Sequence, residues 1–474
     1  MAEMDGLEIV IQRREREMLL GEQFTRSSED KQKVALVLPS GCMRGAEETG
    51  YLLALSQKGL LKHFDTVVGS SVGSIALMFL KNPALGIQLF RQLTADHKFI
   101  NVEGGGIKSL MLMARRGVAD RMPSIPYPEW VIGLGGRTGA TASMLYAVVT
   151  RSYDQMHRVK KFMSRTNKVR ILFRIIRKHI VGRAIDNIPN AHRYIAKRPP
   201  INTNRVIELM RGLLPELNHD ASFKDVLLKG PQLLVVATNG LTGDPITFDL
   251  HNCKTAKELY TILLGSMNLI GLTSETPHYE QSIGQRIPLI DGCFSEPVPI
   301  ATAASVGCTH AVVPFNQHPN AVKHGDTSVE DLLIFFAKQF NPDIEVRLRT
   351  VTPRMLKMFD EATETGICQI GDDKQISVLL SHPTESDAVI SATETNFSKV
   401  VNALQQGALR GEGDITRAEA RLFERRGSSL LHAIREAASG DFRPIPQSAT
   451  APAIPNAYLH GLHAGPKGNN PVVA

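Results

Sequence analysis

Gly69-Ser70-Ser71-Val72-Gly73 stands at the junction of two apolar runs, Asp65 to Gly69 before it and Ser71 to Leu80 after it. A Gly-x-Ser-x-Gly between a buried strand and a helix constrains the chain severely. Side chains at either glycine would collide with the neighbouring strand or helix, and the central hydroxyl is pushed out at the top of a sheet. Ser71, not Ser70, holds that central place. The turn works only where a strand feeds directly into a helix packed on its own sheet, so the surrounding chain is expected to be α/β.

The flanking sequence agrees. Val34-Ala35-Leu36-Val37-Leu38 is a short continuous apolar run closed by Pro39 and Gly41, the pattern of a parallel strand buried on both faces. Gly45 to Gly59 follows as a helix, with Tyr51, Leu52 and Leu55 at helical spacing and Gly59 where a C-terminal cap belongs. Strand, glycine loop, helix, strand, turn and helix make a βαβα start with parallel strands. Further strands are predicted at Leu233 to Ala237, Pro245 to Asp249, Ile287 to Ile290, Ala311 to Val313 and Ile376 to Leu380, the first two forming a hairpin around Asn239 to Asp244. A helix from about Asn396 to Glu424 closes the domain. The expected organisation is a charged leader over 1–32 that precedes the fold, a catalytic domain over 33–430 with an insertion at about 104–220, and a Pro/Gly/Ala-rich disordered tail over 431–474.

Two further segments carry chemistry. Ser40-Gly41-Cys42-Met43-Arg44-Gly45 joins the first strand to its helix, and such a loop presents backbone N–H groups where a developing oxyanion is favoured. Asp291-Gly292-Cys293 follows the run Ile287 to Ile290 directly. An aspartate at the C-terminal end of a parallel strand lies on the same sheet edge as the serine turn, where it can take the proton of Ser71.

Together these elements resemble the patatin-like phospholipase family: an anion loop ending in Arg-Gly, then Gly-x-Ser-x-Gly, then Asp-Gly followed by a small residue. Ala237-Thr238-Asn239-Gly240-Leu241-Thr242-Gly243 and Pro297-Val298-Pro299 also look like the family. The resemblance covers roughly residues 33–103 and 225–400. It implies a patatin-type fold, a mainly parallel sheet flanked by helices, and a Ser71–Asp291 dyad working without histidine, metal or cofactor. Gly41, Cys42 and Met43 would hold the oxyanion through their N–H groups, with Arg44 bracing the loop. The implied substrate is a phospholipid or lysophospholipid ester. Cys42, Met43 and Cys293 depart from the family's glycine and alanine positions, which leaves a catalytically silent lipid- or protein-binding module as the alternative. The rival Ser-Asp-His arrangement, with His310, His318 or His382 as base, fits poorly because only one strand precedes the serine turn.

Charge and composition narrow the setting. The segment Arg151 to Arg198 carries 14 Lys and Arg against Asp154 and Asp186, more than the whole chain's net charge of +7. Within it Val169, Leu172, Phe173, Ile176 and Ile180 form one helical stripe, and Arg170, Arg174, Arg177 and Lys178 another. An amphipathic basic helix of this kind suits an anionic membrane surface, with a domain-packing helix whose basic face is solvated as the other reading. Nucleic acid is disfavoured, since no aromatic interleaving accompanies the charge, and a protein activator stays open. Met111-Leu112-Met113 and Trp130 are candidates for an acyl pocket, with apolar core as the simpler role. No long uninterrupted apolar stretch or secretory leader is visible, and five scattered cysteines without a C-x-x-C pair suit a reducing compartment. The expected location is cytoplasmic and peripheral to a membrane.

Overall fold

The structure, a computed structural model, describes residues 4–21, 30–96, 201–220, 230–324 and 340–438 apart from a few positions inside the last two ranges, together with 99, 334 and 337. The basic segment with Arg170, Arg174, Arg177 and Lys178, as well as Met111–Met113 and Trp130, lies outside the described residues. Two compact units divide the chain, residues 1–419 and 420–474. The first holds all the described strands; the described part of the second is the end of one long helix.

Helix α1 (Gly6–Leu20) leads to strand β1 (Val34–Leu38), α2 (Gly45–Gln57), β2 (Thr66–Ser70), a short α3 (Val72–Ala76) and α4 (Pro83–Ala95). After the undescribed stretch come α5 (Thr203–Leu213), the hairpin β3 (Gln232–Asn239) and β4 (Pro245–Asp249), α6 (Ala256–Ser266), β5 (His278–Glu280) and β6 (Arg286–Asp291). The fold continues with α7 (Ile300–Ser305), β7 (His310–Pro314), α8 (Pro342–Thr365), β8 (Ile367–Ile370), β9 (Lys374–Ser381) and α9 (Phe397–Ala438).

Hydrogen-bonded neighbours follow the chain of pairs β5-β6-β3-β2-β1-β7-β9-β8, with β4 also on β3. Its centre, β3-β2-β1-β7-β9, is parallel, and the pairs toward both margins are antiparallel. Parallel strands are buried on both faces, and β1, β2 and β7 are buried at every residue. One face, with Ala35, Val37, Val68 and Val313, packs against Ile300 and Ala303 of α7 and Met355, Phe359 and Ala362 of α8.

The charged leader does not stand apart from the fold. Asp5 caps α1 through the N–H groups of Leu7 and Glu8, each at 2.9 Å, and Leu7, Ile9, Val10 and Ile11 are buried. The charge of Arg13 is buried because it is fully met. Its guanidinium donates to Asp30 Oδ2 (2.8 Å), Asp65 Oδ2 (3.0 Å) and the carbonyls of His63 (2.8 Å) and Gln32 (2.6 Å). Asp65 Oδ2 also accepts from Val34 N at 2.7 Å, so one side chain ties α1 to the starts of β1 and β2.

Helix α2 ends as predicted, with Gly59 at φ +68° just beyond it. The closing helix is longer than predicted and reaches Ala438. Its first part packs tightly on α2: a Cβ at Gly50 would stand 2.0 Å from the Leu404 carbonyl oxygen, and one at Gly407 1.9 Å from that of Glu47. Residues 439–474 lie outside the description.

Candidate active site

Strand β2 ends at Ser70, opposite Val236 of β3, and the chain turns at Ser71 with φ +55° and ψ −121°. Both glycines of the motif are there for close approach. A Cβ at Gly69 would lie 2.5 Å from the Gly73 carbonyl oxygen, and one at Gly73 2.2 Å from that of Leu38, so α3 can sit directly on β1 and β2 only without side chains there.

Asp291 arrives by a different route from the one expected. Strand β6 is antiparallel to β3, not parallel, and Asp291 pairs with Ala237. Ala237 also pairs with Ile246 of β4, and Val235 pairs with both Phe248 of β4 and Gly69 of β2. A strand has two edges, so β2 and β6 must share the edge of β3 opposite β4. β2 runs up that edge and leaves it at Ser71; β6 comes down the same edge and stops at Asp291. The two strand ends meet head on. Gly292 is required at this meeting point, since a Cβ there would be 2.4 Å from Ser70 Oγ and 2.6 Å from the Val236 carbonyl oxygen.

Ser71 Oγ donates to Asp291 Oδ2 at 2.7 Å. Asp291 Oδ1 accepts from the N–H of Cys293 at 2.8 Å. The Asp291 backbone is held as well, its N–H on the Asn268 carbonyl (2.8 Å) and its carbonyl accepting from Thr238 Oγ1 (2.8 Å). Complete burial pushes the Asp291 carboxyl up to about 6, while the donors from Cys293 and Ser71 pull the other way. Burial also raises the Cys42 thiol to about 11 and lifts Cys293 above its ordinary value, so neither competes with Ser71 as a thiolate.

Ser71 is positioned from behind. Its N–H donates to Ser266 Oγ (2.9 Å), which in turn donates to the Val236 carbonyl (2.6 Å). Ser266, Asn268 and Thr273, whose hydroxyl donates to Asn268 Oδ1 at 2.6 Å, were not singled out from the sequence. A polar residue at the end of an apolar helix carries no local sign that it will be buried against a distant strand. Thr238 lies in the Ala237–Gly243 stretch that the family resemblance did pick out.

The loop Ser40–Gly45 lies against the same site. Cys42 has φ +52°, one of two non-glycine residues with positive φ among those described, the other being Ser71. Ser40 N–H is taken by the Pro297 carbonyl (2.7 Å) and Arg44 N–H by that of Gly41 (3.1 Å). Gly45 N–H is turned back onto the carbonyls of Cys42 and Met43, so the expected donors Gly41, Cys42 and Met43 are the rest of the loop. A Cβ at Gly45 would meet Val72 at 2.6 Å, which keeps loop and turn together. Beyond them Ile75, Leu89, Phe90, Leu93, Val206 and Met267 line an apolar pocket that reaches Ser71 and Asp291.

The histidines of the rival arrangement are elsewhere. His310 Nδ1 is paired with Thr309 Oγ1 at 2.9 Å, and the rings of His318 and His382 pack on each other with centroids 4.8 Å apart. Both carboxylate oxygens of Asp291 are already engaged by Ser71 and Cys293.

Among solved structures, the chain is similar to VipD from Legionella pneumophila, with 15% identity, a TM-score of 0.28 and coverage of 83% of this chain and 70% of that one. It is similar to the type III effector protein ExoU at 16% identity and a TM-score of 0.21, covering 68% of this chain and 53% of ExoU, about half its length. A third similarity is to the complex of SpcU with full-length ExoU from Pseudomonas aeruginosa, at 14% identity, a TM-score of 0.20 and coverage of 80% and 70%. No curated protein matches by sequence. The patatin-like phospholipase family model matches residues 36–304, from within β1 through α7, a span that takes in the serine turn, the glycine loop and the Asp-Gly. With more than half of its length matched, the chain belongs to the patatin-like phospholipase family, a class of serine-dependent lipid hydrolases.

Proposed function

We propose that the chain is an acyl hydrolase of phospholipase A or lysophospholipase type, cleaving carboxylic esters of membrane lipids through a Ser71–Asp291 dyad and the backbone of the loop Ser40–Gly45. The observation that carries this reading is the 2.7 Å hydrogen bond from Ser71 Oγ to a buried carboxylate oxygen of Asp291.

Asp291 accepts the Ser71 proton as Oγ attacks the ester carbonyl carbon. The carbonyl oxygen becomes an oxyanion facing the N–H groups of Gly41, Cys42 and Met43. Collapse of this intermediate breaks the bond to the alcohol, which leaves with the proton from Asp291. Water then loses a proton to Asp291 and attacks the acyl-enzyme, and the fatty acid departs as Ser71 regains its proton. A base near 6 suits both directions, since it is ionised at neutral pH yet basic enough to share a proton with an alcohol. The apolar pocket takes the acyl chain. The basic stripe Arg170, Arg174, Arg177 and Lys178 supplies docking to an anionic membrane surface, so the enzyme works peripherally from the cytoplasmic side. No helix among the described residues is long and apolar enough to cross a membrane.

The test is fatty acid release from mixed anionic liposomes by the wild type, Ser71→Ala and Asp291→Asn, with chelator present. Release by the wild type alone supports the dyad. Silence of all three with liposome binding retained favours the binding-module alternative.

A further inference from the structure

Behind the glycine loop sits a polar pair that the hydrolytic reading does not use. Asn316, two residues beyond β7, is fully buried, and its Nδ2 donates to the Ser40 carbonyl (3.2 Å) and to Glu48 Oε1 of α2 (2.6 Å). The amide cannot be turned round. An oxygen in place of Nδ2 would face the Ser40 carbonyl, a group that can only accept. The contact with the loop is also steric, since a Cβ at Gly41 would lie 2.5 Å from Asn316 Nδ2.

The pair is costly as plain packing. Glu48 is fully buried, and Glu48 Oε2 and Asn316 Oδ1 have no hydrogen-bond partner among the described residues. The nearby Arg410 pairs with Glu47 instead, at 3.1 Å. Two apolar side chains would fill the space without stranding two acceptors. What they could not do is hold the Ser40 peptide, and that peptide precedes Cys42, whose left-handed backbone needs its surroundings to hold it. Ser40 is fixed from both sides, by Pro297 on its N–H and by Asn316 on its carbonyl.

We infer that Asn316, oriented by Glu48, is a positioning residue for the oxyanion loop: it clamps the Ser40 carbonyl and so sets the direction of the Gly41 and Cys42 N–H groups. The inference rests on the proposed role of that loop. A clamp of this kind acts on the transition state, where charge develops on the oxygen, and much less on ground-state binding.

The experiment follows hydrolysis of a soluble p-nitrophenyl butyrate ester by the full chain, with Ser71→Ala as the reference and melting temperature as the check on folding. Asn316→Ala is expected to lower kcat by about 10- to 100-fold, somewhat less than loss of an oxyanion donor itself, with KM changed by less than about two-fold. Glu48→Ala loses turnover in the same way, and Glu48→Gln, which keeps the acceptor for Asn316, restores it. Because both act through one contact, the double variant Glu48→Ala with Asn316→Ala is no slower than Asn316→Ala alone. A folded Asn316→Ala with wild-type kcat overturns the inference, as do a loss confined to KM or losses that multiply in the double variant. If Asn316→Ala does not fold, the Glu48→Ala and Glu48→Gln pair decides: equal turnover in the two overturns the clamp. Turnover that survives Ser71→Ala sinks the Ser71 dyad, and a wild type without turnover sinks the hydrolase reading, results distinct from any of these.

Discussion

Asp291→Asn should make the protein more stable while silencing it. The carboxyl moves from 3.8 in an open environment to about 6 when buried. A folded-state value above the unfolded one means that stability is fully present below 3.8 and is lost as pH rises through 6, because the folded chain holds a proton that the unfolded chain has given up. The shift is about 2 units, and at about 1.4 kcal/mol each the ionised carboxylate costs the fold about 3 kcal/mol at pH 8. Asparagine has the same shape and no charge to bury. Its carbonyl can still accept from Cys293 N–H and its amide can donate to Ser71 Oγ, so the side chain keeps both partners while the Ser71 hydroxyl proton gives up its acceptor. Urea denaturation of both proteins between pH 4.5 and 8 is the assay. The variant's advantage should be about 1 kcal/mol at pH 4.5 and grow to about 3 kcal/mol at pH 8, with ester hydrolysis absent throughout. An advantage that does not grow with pH, or a variant less stable than wild type at pH 8, would refute the claim that burial of the charge sets the Asp291 carboxyl.

The same shift predicts that kcat/KM on a soluble ester climbs with pH through about 6, with about a tenth of the plateau rate at pH 5; a profile flat from pH 5 to 8 would show that the base is another group. Gly73→Ala should prevent folding or cost at least about 3 kcal/mol, because its Cβ would meet the Leu38 carbonyl oxygen at 2.2 Å and that oxygen belongs to a central strand; a melting temperature near wild type would contradict the packing of α3 on β1. Arg13→Leu should cost about 3–5 kcal/mol by removing the buried cation that Asp30 and Asp65 share, read by denaturation. Replacing Arg170, Arg174 and Arg177 together by Glu should weaken binding to anionic liposomes in a flotation assay and leave hydrolysis of a soluble ester intact; equal loss on both substrates removes the docking role.

What was legible in the sequence was local or periodic. The run Val34 to Leu38, the glycines of the serine turn and the cap at Gly59 each act within a few residues of themselves, and each stands where the pattern put it. The parallel pairing of β1 with β2 followed from the shortness of the connection and its helix. What escaped depends on partners far along the chain. Residues 6–20 read as a charged leader because nothing near Arg13 in sequence announces Asp65 or the carbonyl of His63. Ser266 and Asn316 are similar cases, polar residues whose partners are 195 and 276 residues away. Asp291 is a further case: the sequence places it at the end of a parallel strand, while the structure brings it in on an antiparallel one with its register offset along β3.

That offset bears on why two side chains can suffice. In a serine triad the third residue exists to hold the histidine in one tautomer and one orientation. A carboxylate has no tautomer to select, so only its direction must be fixed, and here the backbone does that work. Cys293 N–H takes one oxygen and leaves the other for Ser71; Asn268 and Thr238 hold the peptide on either side of the side chain. All of these contacts exist because β6 ends on the edge of β3 at the level where β2 departs. Slipping β6 by one residue would turn Asp291 to the other face of the sheet, because side chains alternate along a strand. On the proposed dyad reading, the register of β6 against β3 does the orienting that a third catalytic residue does elsewhere. Substitutions at Thr238 should then lower kcat without touching any atom of the substrate, and Thr238→Val, which keeps the shape and removes the donor, is the variant that separates orientation from packing.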